Sequence, residues 1–470
     1  MSMSKMPASV AKRKLQTAPG KAKKARLACM TNVFPDLKLT HEQTRVVDKL
    51  FANNKDFHGV LVAHQTGSGK TEIIIGAIAC AKQVKSILLV TTKSLVGEFK
   101  KRMQKYNFAS KKLRVTTYAK YSLDLQSKKQ KCQASQLLII DEVHLLRNHK
   151  SKRYKQIQAC AFKAKYVLAL TATPFVNQVL DVATLFRLVM TPSMSAKYSN
   201  AQLTNLLSSK AVSRLGKLSA FKNRISWHYH DHPDLPRVET HITRLDMPPA
   251  YEKAYQQLED STFSVMKDMD GDADKDLAKF YTALRTTTHK IADLESTKFE
   301  QIKQLLAKNI QTVLYSEFLA RGIDIFTDFM TSKNISFAVV SGSASQTARK
   351  QAIDSYNAGK ITVLVISKAG EVGLDLQGTR QIIFGNLPWN FATYEQIVGR
   401  GVRRASHVHL PANQRQVDVH VFIQVKRTNR PATIAIKTFD SIDDYLFKLI
   451  EAKHQQKEQL DQVLSKLSIK

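Results

Sequence analysis

The sequence contains few cysteines, and their spacing is not that of a zinc ribbon or a disulfide-rich domain. The 470-residue chain has four, at Cys29, Cys80, Cys132 and Cys160, and no two of them form a Cys-x-x-Cys pair. Both kinds of structure depend on closely spaced cysteines. We therefore expect an intracellular protein of a reducing compartment, without a disulfide framework.

Long apolar stretches are absent as well. No run of apolar residues approaches the ~18 residues that a membrane-spanning helix needs. The first residues also lack the apolar segment that is typical of a secretory signal peptide. These absences predict a protein without membrane partners.

Acidic residues are scarce relative to basic ones. The chain has 72 Lys and Arg against 39 Asp and Glu, which gives a formal net charge of +33. Hydrophobic residues make up 43% of the sequence, so a chain of this length can form two or three packed domains. A positive charge of this size favours a polyanionic partner such as DNA or RNA over a generally basic surface.

Basic residues are concentrated near the beginning of the sequence. Lys12-Arg13-Lys14 and the segment from Lys21 to Arg26 lie on either side of Pro19-Gly20. We expect residues 1–30 to form a disordered basic arm. Such an arm could serve as a nuclear localisation signal, hold phosphate groups without sequence preference, or remain a solvated tail.

Two regions of the chain alternate between apolar runs and helical patterns, which is typical of parallel sheets covered by helices on both faces. The sequence predicts an α/β fold with one lobe over residues 31–190 and another over residues 296–435. The predicted strands are residues 60–63, 86–91, 113–116, 137–140, 166–171, 312–315, 337–340, 361–366 and 381–384. The predicted helices are residues 71–82, 95–106, 179–189, 318–330, 346–356 and 393–402.

The segment between the lobes and the end of the sequence have a different character. Residues 191–295 are basic and mostly helical in pattern, which indicates an insertion between the two lobes. Residues 436–470 predict a C-terminal helix, because Ser441 is an N-cap candidate with Asp444 three residues later. We expect this helix to pack back on a lobe; a helix that binds a partner is the alternative.

A glycine-rich segment follows the first predicted strand. Thr66-Gly67-Ser68-Gly69-Lys70-Thr71 joins that strand to a helix, the context that a phosphate-binding loop requires. Gly67 and Gly69 let the backbone N–H groups face phosphate oxygens at the N-terminus of the helix. We expect Lys70 to reach the terminal phosphates of ATP and Thr71 to place its hydroxyl on Mg²⁺.

A pair of carboxylates ends another strand. Asp141-Glu142 follows the apolar residues 137–140, and the carboxyl ends of buried parallel strands are where α/β sheets bind ligands. We expect Asp141 to hold Mg²⁺ and Glu142 to orient and deprotonate the attacking water, because phosphoryl transfer depends on positioning and charge neutralisation.

Two arginines three positions apart lie on one face of a predicted helix near the end of the second lobe. Arg400 and Arg403 have few acidic neighbours in the sequence. Such a pair can face solvent or contact DNA. We prefer the interpretation that one of them, first Arg403 and then Arg400, is an arginine finger that reaches the γ-phosphate from the opposite lobe.

In their order along residues 37–425, these segments resemble the motifs of superfamily 2 helicase-type ATPases. The series of motifs is more specific than any one of them. The matching segments are Leu39 to Gln43, Leu88 to Leu95, Val115 to Tyr118, Asp141 to His144 (a D-E-x-H box), Thr171 to Pro174, Val313 to Ser316, Val340 to Gly342, Ser367 to Leu376 and Gln396 to Arg404.

The resemblance implies a fold of two RecA-like P-loop NTPase lobes and a role for each motif. It implies adenine contact by Gln43, further nucleotide contacts by Gly373 and Asp375, and coupling of hydrolysis to nucleic-acid contact by Thr171, Thr173 and Gln396. The small polar or basic residues that would contact a nucleic-acid backbone are Thr92, Lys93, Thr117, Ser316, Ser341 and Ser367.

The subgroup that the sequence resembles is Swi/Snf-like. Thr116-Thr117-Tyr118, Asn177 and Pro388-Trp389-Asn390 are similar to that subgroup. The segments Gly399 to His407 and Tyr315 to Phe318 resemble the poxvirus-type nucleoside triphosphate phosphohydrolase I and early transcription factor small subunit, with relatives in other large DNA viruses.

Together these features predict an ATPase that couples hydrolysis of ATP, with Mg²⁺, to movement along a nucleic acid, for which DNA is preferred. Transcription or replication proteins are the expected protein partners, and the nucleus, a viral factory or a virion are the candidate locations. Two alternatives remain open: a strand-separating DNA or RNA helicase, and a transcription-complex scaffold with a secondary ATPase activity.

Overall fold

The computed structural model describes residues 37–52, 58–65, 68–105, 112–208, 221–228, 234–267, 281–367, 374–427 and 439–469. The predicted basic arm lies outside these residues, as do Thr66, Gly67 and Gly373. Among the described helices, none combines the length and the apolar character needed to cross a membrane.

The first lobe is built on a parallel sheet of six strands in the order β3-β2-β4-β5-β1-β6. Strands β1, β4 and β5 consist of apolar runs because hydrophobic clusters cover both faces of the sheet. The strands are β1 (Gly59–His64), β2 (Ser86–Thr91), β3 (Leu113–Thr117), β4 (Gln136–Asp141), β5 (Tyr166–Thr171) and β6 (Ile225–His228).

Helices connect and cover these strands. They are α1 (His41–Leu50), α2 (Lys70–Cys80), α3 (Lys93–Lys105), α4 (Tyr118–Gln126), a 3₁₀ helix (Val143–Leu146), α5 (Lys152–Lys163), α6 (Val179–Arg187), α7 (Pro192–Ala196) and α8 (Asn200–Leu207).

The second lobe is built on another parallel sheet, in the order β11-β12-β10-β13-β14-β7. Its strands are β7 (Arg237–Asp246), β10 (Thr312–Tyr315), β11 (Phe337–Val340), β12 (Val363–Ile366), β13 (Gln381–Phe384) and β14 (Gln416–Val425). A short antiparallel hairpin, β8 (Lys290–Ile291) and β9 (Leu294–Glu295), precedes β10.

The helices of this lobe include a π-helical turn at Leu319–Ile323. The others are α9 (Pro249–Lys267), α10 (Thr297–Leu306), α11 (Asp324–Ser332), α12 (Gln346–Asn357), α13 (Phe391–Gly401), a 3₁₀ helix (Ala412–Gln414) and α14 (Ile442–Leu467).

The predicted fold class is confirmed: two lobes, each a parallel sheet flanked by helices, follow one another along the chain. The segment 191–295, predicted as a mostly helical insertion, also supplies an edge strand to each sheet, β6 and β7. Most of β7 is exposed or half-buried, so its sequence has no apolar run that would mark it as a strand.

The C-terminal helix α14 begins at the predicted cap, where the Ser441 hydroxyl accepts a hydrogen bond from the N–H of Asp444 at 3.1 Å. It contacts both lobes. Ile442 and Leu446 pack in the core of the second lobe, whereas Val463 and Leu464 pack in the core of the first. The helix therefore spans the molecule, while the sequence predicted packing on one lobe.

The prediction that the chain has no disulfide framework is wrong, because Cys80, Cys132 and Cys160 are all disulfide-bonded. Cys132 and Cys160 are disulfide-bonded, with their Cα atoms 4.7 Å apart. They are 28 residues apart in sequence. They meet because α5, which carries Cys160, packs against α4, which leads to Cys132, and cysteine spacing alone does not reveal such contacts.

Candidate nucleotide site between the two lobes

The phosphate-binding loop ends at a glycine in the left-handed region. Gly69 has φ = 82° and is the N-cap of α2, whose first residue is Lys70. A Cβ atom at Gly69 would lie 2.3 Å from the side-chain nitrogen of Gln43. Both the dihedral angle and the close contact therefore require glycine here, and they leave the helix N-terminus open toward a phosphate.

Gln43 joins helix α1 to this loop. Its side-chain Nε2 donates to the carbonyls of Ser68 at 3.0 Å and Gly69 at 3.3 Å. Its Oε1 accepts from the N–H of Thr40 at 2.8 Å, as part of a capping box at the start of α1. The residue predicted to contact adenine thus lies beside the phosphate loop, and the adenine contact itself stays a prediction.

The ammonium group of Lys70 is held at the base of the loop. It donates to the carbonyl oxygens of His64 and Gln65, both at 3.0 Å. Burial lowers the pKa of Lys70, the carboxylates of Glu142 and Asp141 raise it, and the charges of Arg403 and Arg400 lower it. Charged groups of both lobes therefore act on the Lys70 ammonium.

Asp141 lies at the carboxyl end of β4. Its Oδ2 accepts from the hydroxyl of Thr91 at 2.9 Å, and its Oδ1 accepts from the N–H of Glu142 at 3.0 Å. Burial and then the charge of Glu142 raise the pKa of Asp141 to about 6. The hydroxyl of Tyr118 donates to the Asp141 backbone carbonyl at 2.6 Å.

Glu142 adopts a left-handed backbone conformation, with φ = 53°. This conformation is costly for a residue other than glycine and is concentrated at functional sites. Burial acts to raise the pKa of Glu142, but His144, Lys70 and Arg400 together lower it below its usual value. The site therefore favours an ionised Glu142, as a base that accepts a proton requires.

His144 links this carboxylate to the next motif. Its Nδ1 is 3.3 Å from Oε2 of Glu142 and 3.0 Å from the hydroxyl of Thr171 at the end of β5. The Thr171 hydroxyl also accepts from the N–H of Thr173 at 3.0 Å. The two threonines predicted to couple hydrolysis to nucleic-acid contact are thus connected to Glu142 through one imidazole ring.

Arg400 lies on α13 of the second lobe, whereas Arg403 follows the end of this helix at Gly401, so the prediction that both lie on one helical face is wrong. Arg403 donates through Nη1 to Oδ1 of Asp375 and through Nε to the carbonyl of Gly399, at 3.0 and 3.3 Å. Gln396 lies one turn before Arg400 on the same helix. The charges of both arginines act on Lys70, Asp375 contacts Arg403, and the contact of an arginine with the γ-phosphate stays a prediction.

The predicted nucleic-acid contacts follow the carboxyl ends of strands in both lobes. Lys93 is exposed, and Thr92, Thr117 and Ser341 are half-buried. The hydroxyl of Thr117 caps α4 by accepting from the N–H of Lys120 at 3.2 Å. These four side chains remain accessible to a ligand.

Ser316 differs from the others because its side chain is enclosed in the second lobe, and its predicted phosphate contact stays a prediction. It is completely buried, and its hydroxyl donates to Oδ1 of Asn386 at 2.9 Å. The π-helical turn covers it so closely that a Cβ on Gly322 would lie 2.2 Å from the Ser316 oxygen. Ser367 is also buried, with 6% of its surface exposed, and its contact stays a prediction.

Two site residues were missed by sequence reasoning. Thr91 and Tyr118 were noted only as parts of their motifs, yet both donate hydrogen bonds to Asp141. A signal was present, because each residue adjoins a predicted nucleic-acid contact, Thr92 and Thr117 respectively. The pairing of β2 beside β4, which brings Thr91 to the carboxylate, is visible only in the fold.

The site combines a phosphate loop and an Asp-Glu pair on one parallel sheet with arginines of a second lobe. This arrangement defines a two-lobed P-loop NTPase. Comparison with known families agrees: residues 40–130 match the DEAD/DEAH box helicase domain, residues 100–292 the SNF2-related domain, and residues 297–405 the helicase conserved C-terminal domain. The chain carries SNF2-related, DEAD/DEAH box helicase and helicase C-terminal domains, and it is a nucleic-acid-dependent ATP hydrolase of the Snf2 helicase type.

Relatives of the chain include viral proteins. It is 28% identical over 439 residues to the ATP-dependent RNA helicase candidate L538 of Acanthamoeba polyphaga mimivirus, a match that covers 88% of this chain and 95% of the relative. It is 30% identical over 187 residues to nucleoside triphosphatase I of Melanoplus sanguinipes entomopoxvirus, where the match covers 38% of this chain and 27% of the relative.

Solved structures of lower identity also align with the chain. The SWI2/SNF2 ATPase core of Sulfolobus solfataricus in complex with dsDNA has 19% identity and a TM-score of 0.37, covering 92% of this chain and 97% of that one. The Hef helicase domain of Pyrococcus furiosus has 15% identity and a TM-score of 0.46, covering 81% and 94%.

Proposed function

We propose that the protein is a translocase that uses hydrolysis of Mg²⁺-bound ATP to move along DNA. One observation carries the proposal: the charges of Asp141 and Glu142 of the first lobe and of Arg400 and Arg403 of the second all act on Lys70 of the phosphate loop. A nucleotide bound at the phosphate loop would be enclosed by both lobes. Its hydrolysis would therefore change how the lobes fit together, which is the basis of movement along a track.

Within this proposal each residue of the site has a stated role. Lys70 neutralises charge on the terminal phosphates, and Glu142 accepts the proton of the attacking water. Arg403, held by Asp375, places its guanidinium on the γ-phosphate, and Arg400 adds charge beside Glu142. Gln43 orients the adenine, because its amide lies against the loop.

The residues present fit a magnesium ion. Asp141 and Thr71 offer the hard oxygen atoms that Mg²⁺ prefers, and burial beside Glu142 raises the pKa of Asp141, a cost that a neighbouring cation offsets. When bound, Mg²⁺ neutralises charge on the phosphate oxygens. Asp141 and the Thr71 hydroxyl would hold it, and the Thr91 hydroxyl fixes the Asp141 carboxylate.

DNA is the preferred track, since the SNF2-related match extends over residues 100–292 and the net charge of +33 suits a polyanion. Lys93, Thr92, Thr117 and Ser341 would contact its backbone without reading sequence. The proposal includes a role in viral transcription or DNA remodelling, with transcription or replication proteins as partners, and the similarity to a viral nucleoside triphosphatase I supports the viral link.

A second candidate function is an RNA helicase. It is favoured by one observation: the similarity to the mimivirus RNA helicase candidate extends over 95% of that protein. The same nucleotide site would serve this activity. The two functions differ in the nucleic acid that stimulates hydrolysis and in whether strands are separated.

The deciding experiment measures the ATPase rate without nucleic acid and with single-stranded DNA, duplex DNA and RNA. We expect the strongest stimulation with DNA, together with displacement of a triplex-forming strand from duplex DNA. Stimulation by RNA alone, with unwinding of an RNA duplex, would support the helicase instead. Lys70→Ala should abolish hydrolysis. Its control, Lys82→Ala, changes an exposed lysine and should leave hydrolysis intact. An ATPase rate that no nucleic acid affects would reject both functions.

A further inference from the structure

Two buried hydroxyl groups hold the aspartate of the D-E-x-H box from neighbouring strands. Thr91, at the end of β2, is 1% exposed and donates to the carboxylate Oδ2 of Asp141 at 2.9 Å. Tyr118, directly after β3, is 4% exposed and donates to the backbone carbonyl of Asp141 at 2.6 Å. Asp141 is therefore fixed by its side chain and its backbone at once.

Each of these hydroxyl-bearing residues adjoins an accessible residue on the surface. Thr92 and Lys93 follow Thr91 directly, and Thr117 directly precedes Tyr118. Buried β2 pairs with β4 in a regular parallel register that brings Val90 opposite Ile140. A shift of the surface loops cannot be absorbed by bending of these close-packed strands, so it is transmitted to the hydrogen bonds at Asp141.

We propose that Thr91 and Tyr118 are positioning residues that convey nucleic-acid binding to Asp141, so that the bound track sets the carboxylate for hydrolysis. The inference rests on the proposed function, because it requires contact of Thr92, Lys93 and Thr117 with a nucleic acid. It assigns the coupling to two hydrogen bonds on the β2 and β3 side of β4, in addition to the Thr171 and Thr173 motif, which follows β5 on the other side of β4.

The test compares Thr91→Val and Tyr118→Phe with the wild type. Both substitutions keep the side-chain shape and remove the hydroxyl donor. We expect the ratio of stimulated to unstimulated kcat to fall about tenfold, since each variant loses one hydrogen bond to Asp141. The dissociation constant for DNA should stay within about twofold, because neither residue faces the solvent. Thr91→Ser, which restores the donor, should recover most of the ratio.

Matched controls separate positioning from general stability. Tyr154→Phe removes a buried hydroxyl that donates to the carbonyl of Thr184 at 3.2 Å, and Thr312→Val removes one that donates to the carbonyl of Ile310 at 2.7 Å. Neither hydroxyl donates to Asp141. These variants should leave the stimulation ratio unchanged even where they lower the melting temperature.

A second measurement does not depend on hydrolysis. Hydrogen exchange of the segment 137–146 is followed with and without duplex DNA, in EDTA and without nucleotide. DNA should change the exchange in the wild type, and the change should be lost in Thr91→Val and Tyr118→Phe. This inference alone is overturned if DNA stimulates the wild type but both variants keep the full stimulation ratio and the full change in hydrogen exchange. A wild type that no nucleic acid stimulates overturns the proposed function as well.

Discussion

The backbone N–H of Trp227 donates to the hydroxyl of Ser468 at 2.9 Å. This contact joins β6, the edge strand of the first sheet, to the residue directly after α14. The N–H of Ile469 continues it by donating to the carbonyl of Ile225 at 2.8 Å. The end of the C-terminal helix is thus bonded to the backbone of the first lobe.

The other end of the same helix is anchored in the second lobe. Asp443, in its first turn, accepts two hydrogen bonds from the ammonium of Lys298 on α10, at 3.0 and 3.1 Å. Because α14 has 26 residues, it spans about 39 Å at 1.5 Å per residue. The helix therefore limits how far the two lobes can separate while both ends remain attached.

Leu464→Ala should loosen the attachment to the first lobe. Leu464 is completely buried in that lobe's core, so we expect a loss of about 2–5 kcal/mol in the free energy of unfolding. Leu294→Ala, at a residue that is 37% exposed, is the control and should cost much less. Urea unfolding measures both, and equal losses would argue against anchoring of the helix by core packing.

Lys298→Met should destabilise the other attachment. The side chains of Lys298 and Asp443 are 0% and 3% exposed, and removal of one partner of a buried ion pair costs about 3–5 kcal/mol, because the remaining charge is left uncompensated. The double variant Lys298→Met with Asp443→Asn should recover part of this loss. A double variant that is less stable than Lys298→Met, as judged by urea unfolding, would contradict this explanation.

The structural features that could be predicted from the sequence are those that depend on consecutive residues. Strands β2, β5, β10, β11 and β13 have the predicted bounds, because each contains a continuous apolar run, which is buried except in β11, where three of four residues are half-buried. The other features depend on contacts between distant segments. Polar β7 is recognisable only through its pairing with β14 over ten residues, and burial of Ser316 depends on Asn386, which is 70 residues away.

The same distinction applies to the nucleotide site. Lys70, Asp141 and Glu142 were predictable because a phosphate loop and a strand-end carboxylate pair have local signatures. A role for Arg403 at the phosphates was predicted from the spacing of the two arginines, whereas its ion pair with Asp375 required the folded second lobe. The disulfide between Cys132 and Cys160 belongs with the features that only the fold could reveal.

Stability should depend on pH through Asp461 on α14. Burial raises the pKa of Asp461 from 3.8 to about 7, with Glu395 and Glu458 acting in the same direction and Lys457 opposing them. The folded state therefore keeps a proton that the unfolded state loses above about pH 4, so stability falls as pH rises from about 4 to about 7. Asp461→Asn removes this loss.

We expect Asp461→Asn to be more stable than the wild type at pH 8, by on the order of 1–3 kcal/mol, and to differ little from it at pH 4. Melting temperatures measured from pH 4 to pH 8 give the comparison. Asp328→Asn, at an exposed aspartate on α11, is the matched control and should follow the wild type throughout. If the wild type instead gains stability relative to Asp461→Asn as the pH rises from 4 to 8, the raised pKa of Asp461 is contradicted.

The ion pair between Asp375 and Arg403 gives a test of how the arginine finger is positioned. Arg403→Ala should lower kcat about 10³-fold or more, as expected when an arginine finger is removed. Asp375→Ala should cause a smaller loss, because Arg403 keeps its contact with the carbonyl of Gly399.

If Asp375 acts only by holding Arg403, the double variant should be no slower than Arg403→Ala alone. If Asp375 instead contacts the nucleotide, the two losses should multiply, and KM for ATP should rise in Asp375→Ala even when Arg403 is absent. Steady-state ATPase kinetics of the four proteins therefore distinguish the observed ion pair from the nucleotide contact that the family resemblance implies.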